Sequence, residues 1–276
     1  MGSLVAALAS FLDVRKRGGE WLLRIEDVDT VRSRPEFESA LLRELVRHGL
    51  HWDGQVVRQS QRSEHYLNAL QQLEILNRSY PCTCSRQFLK RRGCLSNAQG
   101  ELVYPGFCRP ARAQTEMHSL SHRAAAWRFL IVDDAYDFED LLAGRQSGRV
   151  LFDVGDFVLR RADGCFAYHL AVVVDDFLQG VTRVIRGADI LPLTGRHILL
   201  QRALGYGSPV YGHIPLVLDG SGEKLSKSAS ARALAESPAT DNLVQALAFL
   251  GVQIESRDFS SPEEILDHAL RHYTLT

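Results

Sequence analysis

The sequence predicts an α/β fold in which strands of a doubly wound, parallel sheet alternate with amphipathic helices. An almost continuous apolar run, Trp-Leu-Leu-Arg-Ile at residues 21–25, has strand length and suits a strand buried inside a parallel sheet. Apolar residues at helical spacing precede it in residues 2–17 and follow it in residues 35–48. Charged residues stand directly after the run, at the edge where open α/β sheets bind their ligands. We therefore expect a ligand site at the carboxyl ends of the strands.

Composition limits the classes of protein to which this chain can belong. Its 276 residues, of which 45% are apolar, are enough to bury a large core. The formal net charge of −1 gives no general attraction to nucleic acid, so RNA contacts would need local basic patches. No apolar run reaches the ~18 residues of a membrane span, and the absence of a Gly-Lys-Ser/Thr loop argues against a P-loop kinase or ATPase. Five cysteines, including a Cys-x-Cys pair, favour a metal site in the reducing cytoplasm over a disulfide framework.

Two helices in the first third are predicted to form scaffold. The helix over residues 35–48 has an inner face that we assign to Phe37, Leu41 and Leu45. A second helix follows Arg62, and its apolar stripe consists of Tyr66, Leu70, Leu73 and Leu76.

The second half of the chain gives a further series of strands and helices. Thr194 is expected to cap the helix over residues 195–204, and Gly205 to end it. Asp133, Asp134 and Asp137 are interpreted as a solvated turn. The predicted strands are 127–132, 181–186 and 213–218, and the last two helices are 240–250 and 262–272.

A metal site is predicted where the cysteines cluster. Cys82 and Cys84 form a Cys-x-Cys pair, and Cys108 closes the segment that follows. Thiolates at this spacing bind zinc, usually with four ligands. The residues alone leave the fourth ligand open, and the candidates are Cys94, His118 and His122.

A lysine-rich loop at residues 218–228 has the composition of a phosphate-binding segment. Lys224 and Lys227 supply two ammonium charges, and Ser226 lies between them. The pentapeptide Lys-Leu-Ser-Lys-Ser at 224–228 resembles the KMSKS motif of class I aminoacyl-tRNA synthetases, with Leu225 at the methionine position. The resemblance implies a Rossmann-like catalytic domain that binds ATP with Mg²⁺. It also implies that Lys227 is the catalytic residue and that Lys224, Ser226, Lys227 and Gly2 contact ATP.

A second resemblance concerns the amino acid. Residues 24–29, Arg-Ile-Glu-Asp-Val-Asp, are similar to the R-[IL]-E-D-T-D segment of glutamyl-tRNA synthetases. The resemblance implies that Glu26 holds the α-amino group of L-glutamate and that Tyr168 contacts the same substrate. It also implies that Arg186 binds the side-chain carboxylate. The alternative to this binding role is an ion pair between Arg186 and Asp189 that only supports the structure.

The cysteine segment is similar to the zinc insertion of glutamyl-queuosine tRNA(Asp) synthetases, which are short relatives of glutamyl-tRNA synthetase. That resemblance implies one structural Zn²⁺ and makes Tyr104, four residues before Cys108, the fourth ligand in preference to Cys94 and the two histidines.

The function implied is ATP-dependent formation of glutamyl-adenylate and transfer of glutamate to queuosine in the anticodon of tRNA(Asp), by a cytoplasmic monomer. One alternative interpretation is a discriminating glutamyl-tRNA synthetase without its second domain, and another is a non-catalytic zinc- and RNA-binding remnant. Only Gly-Ser-Leu at residues 2–4 matches the family's opening segment. We therefore expect the chain to lack the first strand and most of the HIGH-type motif, and to be poorly soluble and inactive without them.

These resemblances divide the chain into four parts. Residues 1–79 form the first half of the catalytic domain and residues 80–150 the zinc-bearing insertion. Residues 151–217 form the second half of the catalytic domain, and residues 218–276 hold the lysine loop and the C-terminal helices.

Overall fold

The computed structural model of the protein describes residues 1–30, 33, 35–110, 124–218, 234, 236–254 and 259–275. Within these residues the helices are α1 (Gly2–Lys16), α2 (Pro35–Arg47), α3 (Ser63–Ile75), α4 (Arg86–Arg91), α5 (Val150–Asp153), α6 (Tyr168–Leu178), α7 (Thr194–Leu204), α8 (Ala239–Phe249) and α9 (Pro262–His272). The strands are β1 (Arg24–Ile25), β2 (Val57–Arg58), β3 (Ser79–Cys82), β4 (Ala126–Phe129), β5 (Ala135–Asp140), β6 (Gly144–Arg149), β7 (Val158–Arg160), β8 (Arg183–Gly187) and β9 (Val210–Ile214). Short 3₁₀ helices cover Gln59–Gln61 and Ala188–Leu193.

Parallel strands form the part of the fold that carries the candidate site. β8 pairs with β9 in parallel along its whole length, and β1 pairs with β2 in parallel. β5 joins β9 in parallel through Asp140 and Tyr211, and β6 then pairs with β5 as an antiparallel hairpin. A separate sheet, in the order β3-β4-β7, is antiparallel. The predicted α/β class with parallel strands is therefore confirmed, and an antiparallel sheet and an antiparallel hairpin accompany the parallel strands.

The larger core fixes α1 against β8. Leu4, Leu8 and Leu12 lie one turn apart on α1, so they share a face, and all three are buried with Ile185 of β8. Apolar residues of α8 and α9 complete this core. Burial of each such leucine contributes about 1.5–3 kcal/mol. The core therefore holds β8, and with it Arg186, in a fixed position.

The second core joins α3 to α6 and α7. The predicted stripe residues Tyr66, Leu70 and Leu73 are buried there against the Val-Val-Val run of α6. Leu76 was assigned to the same stripe, and this is wrong because it is 48% exposed. The reason is that α3 ends at Ile75, and Asn77 then adopts a left-handed conformation with φ 53°. This core holds the first turn of α6, where Tyr168 lies.

Several predicted elements are displaced in the structure. The strand expected over residues 21–25 is reduced to Arg24–Ile25, and the strand expected over 213–218 begins and ends earlier, at Val210–Ile214. The inner face predicted for α2 is wrong for Phe37 and Leu41, which are 67% and 44% exposed, and only Leu45 is buried.

The turn predicted near residue 133 is wrong. Residues 135–149 form the β5–β6 hairpin, in which side chains alternate between more exposed and less exposed positions. Asp134 is buried at its start and pairs with Arg149, while Asp137 lies within β5 and pairs with Arg145. The charged residues therefore belong to the alternating polar positions of a β-hairpin and not to a solvated turn.

The end of α7 was predicted correctly, but its start was not. Gly205 ends the helix in a left-handed conformation with φ 73°. Thr194 is itself the first helical residue, and its hydroxyl makes no capping hydrogen bond. It accepts a hydrogen bond from Arg186 instead. In the described residues, no helix combines the length and apolar character that crossing a lipid bilayer requires.

Candidate active site and metal centre

A cavity of about 700 Å³ lies between β1 and β8. The three residues predicted to bind glutamate, Glu26, Tyr168 and Arg186, all line it. Glu26 follows β1, Tyr168 begins α6 and Arg186 lies near the end of β8. Segments that are up to 160 residues apart thus meet at the ends of parallel strands, where the sequence predicted a ligand site.

Arg186 is held by a set of buried acceptors. Its Nε donates to His213 Nε2 at 2.9 Å, and its Nη2 donates to Thr194 Oγ1 at 2.8 Å. His213 Nδ1 lies 2.6 Å from Asp140 Oδ2, and burial lowers the pKa of His213. A neutral His213 therefore donates from Nδ1 to Asp140 and accepts at Nε2 from Arg186. This arrangement fixes the guanidinium plane at the wall of the cavity.

Another part of the cavity lining carries a cluster of charges around Arg24. Arg24 donates to Asp176 Oδ1 at 2.7 Å and to Gln179 Oε1 at 2.8 Å, and it lies 3.5 Å from Glu26 Oε1. Glu26 faces the cavity but is surrounded by its walls, and this desolvation raises its pKa despite the attraction of Arg24. Asp176 also has a raised pKa, for the same reason. Two carboxylates beside one guanidinium leave negative charge available for a cationic group such as an amine.

Tyr168 supplies a neutral hydroxyl to the same cavity. Burial raises its pKa, and the Glu26 carboxylate raises it further, so the phenol keeps its proton at neutral pH. Its ring contacts those of His169 and His197 edge to face, with centroids 5.8 and 5.7 Å apart.

A buried carboxylate anchors the elements that frame the cavity. Asp175 accepts hydrogen bonds from Arg62 Nε at 2.6 Å, from Gln59 Nε2 at 3.0 Å and from the Tyr66 hydroxyl at 2.7 Å. Its side chain is fully buried. Asp175 thus ties α6 to α3 and to the 3₁₀ turn that precedes α3.

Three cysteines meet at the second candidate site. The Sγ atoms of Cys82, Cys84 and Cys108 lie within 4.8 Å of one another, and Cys84 and Cys108 are 3.5 Å apart. Tetrahedral zinc with bonds of about 2.3 Å needs sulfurs roughly 3.8 Å apart. The three thiols therefore fit a zinc ion, with small side-chain adjustments.

The Tyr104 hydroxyl lies beside this cluster. Its hydroxyl lies 3.4 Å from Cys82 Sγ and 3.9 Å from Cys84 Sγ, and it accepts a hydrogen bond from the Cys108 backbone N–H at 2.7 Å. Burial raises the pKa of Tyr104, so ionisation of the phenol would require a nearby cation. The Arg128 guanidinium lies 3.8 Å over its ring and also donates to Cys82 Sγ at 3.2 Å. The Cys108 N–H favours the anionic form of Tyr104, and the Arg128 guanidinium favours the anionic form of Cys82.

The remaining predicted residues lie elsewhere. Cys94 packs beside the cluster but is not one of the three clustered thiols, and His118 and His122 lie outside the described residues. Lys224, Ser226 and Lys227 also lie outside them. Gly2 is the first residue of α1 and is not among the described residues that line the cavity.

Sequence reasoning missed the residues that support Arg186. Thr194, His197 and His213 come from α7 and β9 and meet Arg186 only through the fold. No local spacing marks them as partners. The separate roles of the adjacent carboxylates Asp175 and Asp176 become visible only in the structure.

Comparison with known proteins places this chain in a family. Residues 1–268 match the family described as tRNA synthetases class I (E and Q), catalytic domain. A protein of Dechloromonas aromatica named glutamyl-Q tRNA(Asp) synthetase is 48% identical over 253 residues, which cover 91% of this chain and 81% of that protein. A protein of the same name from Thiobacillus denitrificans is 43% identical over 274 residues, covering 99% of this chain and 88% of that one.

Solved structures support the same fold. A glutamate tRNA ligase from Elizabethkingia meningosepticum, in complex with its amino acid, superposes with a TM-score of 0.76 at 23% identity. A glutamate-tRNA synthetase from Elizabethkingia anophelis gives a TM-score of 0.77, also at 23% identity. The alignments cover 99% and 100% of this chain but only 62% and 64% of those chains, so this chain spans less than two thirds of their length.

The family match covers residues 1–268, and the two relatives are 48% and 43% identical over 91% and 99% of the chain. This chain therefore belongs to the class I tRNA synthetases of the E and Q group, a family of ligases.

Proposed function

We propose that this protein activates L-glutamate with ATP and transfers it to the queuosine base in the anticodon of tRNA(Asp). The observation that carries the proposal is the meeting of Glu26, Tyr168 and Arg186 around one cavity. Two similar proteins bear the name glutamyl-Q tRNA(Asp) synthetase, which supports this choice of acceptor.

The charges of the cavity suit an amino acid with an acidic side chain. Arg186 lies on one wall, where its planar guanidinium can bind a carboxylate through two parallel hydrogen bonds. Glu26 and Asp176 lie across the cavity, where they attract an ammonium group. Tyr168 can donate its hydroxyl to the substrate between them. We assign the glutamate side chain to Arg186 and its α-amino group to Glu26.

The proposed first step needs no protein nucleophile. An oxygen of the substrate α-carboxylate attacks the α-phosphorus of ATP, the bond from that phosphorus to the bridging oxygen breaks, and pyrophosphate leaves with Mg²⁺. Positioning and charge stabilisation are then the work of the protein. We assign the phosphate contacts to Lys224, Ser226 and Lys227, with Gly2 near the nucleotide. In the second step, a hydroxyl of the queuosine ring attacks the acyl carbon of the adenylate, and AMP leaves.

We further propose one structural zinc ion held by Cys82, Cys84, Cys108 and Tyr104. When bound, zinc would join β3 to the segment around residue 108 and contribute directly to the stability of that region. The test is metal content. Tyr104→Phe should lower zinc affinity, whereas Cys94→Ser should leave it unchanged; full zinc retention by Tyr104→Phe at limiting metal would show that the phenol is not a ligand.

The catalytic proposal is tested by ATP–pyrophosphate exchange. Exchange should require glutamate and should be weak with glutamine or aspartate, because only glutamate places a carboxylate at Arg186. Labelled glutamate should then accumulate on tRNA(Asp) that carries queuosine, and not on the same tRNA without queuosine or on tRNA(Glu). Labelling of tRNA(Glu) would instead identify a discriminating glutamyl-tRNA synthetase.

The experiment also addresses the expectation about the amino terminus. The 276-residue chain and a chain extended by roughly 15 residues of the family's opening pattern are assayed side by side. Exchange only by the extended chain would support that expectation. Binding of tRNA without exchange by either chain would identify a non-catalytic RNA-binding protein and overturn the proposal.

A further inference from the structure

A short helix beside the cysteine cluster concentrates positive charge on the surface. The helix α4 begins two residues after Cys84. Residues 75–100 contain no aspartate or glutamate, although the whole chain has a net charge of −1. Four cationic side chains on α4 and directly after it are all exposed, and we call them the α4 surface: Arg86, Lys90, Arg91 and Arg92.

These charges are not neutralised within the part of the chain that the structure describes. The first acidic residues on either side in the sequence are Glu74 and Glu101, and Glu101 pairs with Arg196 of α7. No ion pair between described residues includes a member of the α4 surface. The Arg92 guanidinium lies 5.4 Å from the centroid of the Phe88 ring, which orients it but leaves its charge in place. The α4 surface therefore presents uncompensated positive charge to solvent.

The needs of the helix do not explain this charge. Lys90 and Arg91 lie in the last turn, where cations interact favourably with the helix dipole. Arg86 is the first helical residue, where a cation is unfavourable, and it lies four residues before Lys90, so two like charges share one face. A bound polyanion would relieve that repulsion. Arg86 thus distinguishes a binding surface from a helix whose cations only suit its own end.

Packing attaches the α4 surface to the half of the chain that carries the cavity. Leu89 buries the inner side of α4 in the small core around the cysteines. Beyond α4, Glu101 pairs with Arg196, and Arg196 Nη1 lies 3.0 Å from His169 Nε2. His169 follows Tyr168, which lines the cavity. Successive side-chain contacts therefore connect the segment after α4 to the wall of the cavity.

We propose that the α4 surface binds phosphate groups of the tRNA substrate. This inference rests on the proposed function, because that function brings a polyanion of this kind to the chain, and it adds a surface that holds the macromolecule. Exposed arginine and lysine side chains bind RNA phosphates and fix the position of the nucleic acid without reading its bases. The α4 surface therefore contributes affinity for tRNA and does not distinguish queuosine from guanine.

The test is the salt dependence of tRNA(Asp) binding to the full chain, measured by fluorescence anisotropy. The test variant combines Arg86→Gln, Lys90→Gln and Arg91→Gln. Each lost phosphate contact lowers the slope of log K against log salt by about 0.7–0.9, so three lost contacts should lower it by roughly two. At ~0.1 M salt, Kd should rise on the order of tenfold to a hundredfold. The increase should be the same for tRNA with and without queuosine.

Two further variants separate local charge from other causes. The matched control combines Arg43→Gln, Arg145→Gln and Arg271→Gln, which remove the same charge from exposed positions on α2, β6 and α9 and should change Kd by less than about twofold. Arg86→Lys combined with Arg91→Lys keeps the charge and should keep the salt slope.

Several results would overturn the inference. These are an unchanged slope in the test variant, an equal loss of affinity in the matched control, or a slope lowered as far by the lysine variant as by the test variant. Binding to vesicles of anionic phospholipid that depends on the α4 surface, without such dependence for tRNA, would also overturn it.

Failure of this inference differs from failure of the proposed function. Glutamate exchange without tRNA binding that depends on the α4 surface would overturn the inference alone. Such binding by a protein that exchanges no glutamate, in both the 276-residue chain and the chain extended at its amino terminus, would support the inference and refute the proposed activity.

Discussion

The cysteine cluster and the cavity at Arg186 are built in different ways. The three thiols and Tyr104 come from 27 consecutive residues, between Cys82 and Cys108, and a metal ion would complete them. The cavity brings together Glu26, Tyr168 and Arg186 from three separate regions, and buried side chains hold them there. The cluster would therefore be sensitive to loss of a bound metal. The cavity is sensitive to loss of supporting hydrogen bonds that never touch a ligand.

The largest effect is expected at the cysteine cluster. Cys82→Ser removes the buried thiol of the Cys-x-Cys pair, so the zinc content should fall from about one per chain to near zero. We expect Tm to fall by more than about 10 °C, since each kcal/mol of lost unfolding free energy lowers Tm by roughly 2–4 °C in domains of 150–250 residues. Metal analysis and thermal melting provide the measurements. Cys165→Ser is the matched control, because Cys165 is not in the cluster and should change neither value.

The next largest effect is expected at the support of the cavity. Asp175→Asn keeps the shape of the side chain but replaces an acceptor of three hydrogen bonds by a group that also donates. Breaking a buried charged pair in this way costs about 3–5 kcal/mol of unfolding free energy. Denaturant unfolding measures this loss. Asp137→Asn, which disrupts the exposed pair with Arg145, is the control and should change stability little; a similar loss in both variants would contradict the assigned role of Asp175.

The same contrast explains how much of the molecule could be predicted from its sequence. The bounds of α9 agree with the predicted helix over residues 262–272, because Ser261 caps its start and its apolar residues repeat at helical spacing. The thiols of Cys82, Cys84 and Cys108 were predicted to meet because a Cys-x-Cys pair followed by a further cysteine is a pattern typical of metal sites. The hairpin at 135–149 was missed because its faces are polar and half exposed, so no apolar alternation marks it.

Contacts between residues that are far apart in the sequence could not be predicted from sequence patterns. His169 and His197 are 28 residues apart, and no periodic pattern relates them. Glu26, Tyr168 and Arg186 were proposed together only from a family resemblance. The structure brings them to one cavity, and their individual roles stay predictions. Support for a site by buried polar contacts therefore requires the fold, whereas a cysteine cluster can be predicted from residue type and pattern.

Substitution of Arg186 tests the cavity directly. Arg186→Lys keeps the positive charge but loses the planar fork and the bond from Nε to His213. Loss of a charge-assisted hydrogen bond worth about 1.5–3 kcal/mol lowers activity roughly tenfold to 150-fold. The measurement is kcat/KM for glutamate in pyrophosphate exchange, made in the chain extended at its amino terminus. Arg145→Lys, on the exposed hairpin, is the control; equal exchange by the Arg186→Lys protein and wild type would remove Arg186 from the site.

The smallest effect separates support of Arg186 from direct contact with a ligand. Thr194→Val is nearly isosteric and removes the hydroxyl, which accepts from Arg186 Nη2 at 2.8 Å and lies 3.3 Å from His213 Nε2. Because this hydroxyl makes no capping hydrogen bond to α7, the start of the helix should survive the change. Loss of one hydrogen bond of about 0.5–1.5 kcal/mol should then raise KM for glutamate roughly twofold to tenfold.

Zinc content and KM for ATP should be those of wild type, since Thr194 is buried and is not among the described residues that line the cavity, and the cysteine cluster is a separate group of residues. Thr194→Ser restores the hydroxyl and should restore the affinity for glutamate. If valine and serine at this position gave the same KM, the orientation of Arg186 would depend on His213 and His197 alone. The cavity would then be more tolerant of lost support than its buried contacts indicate.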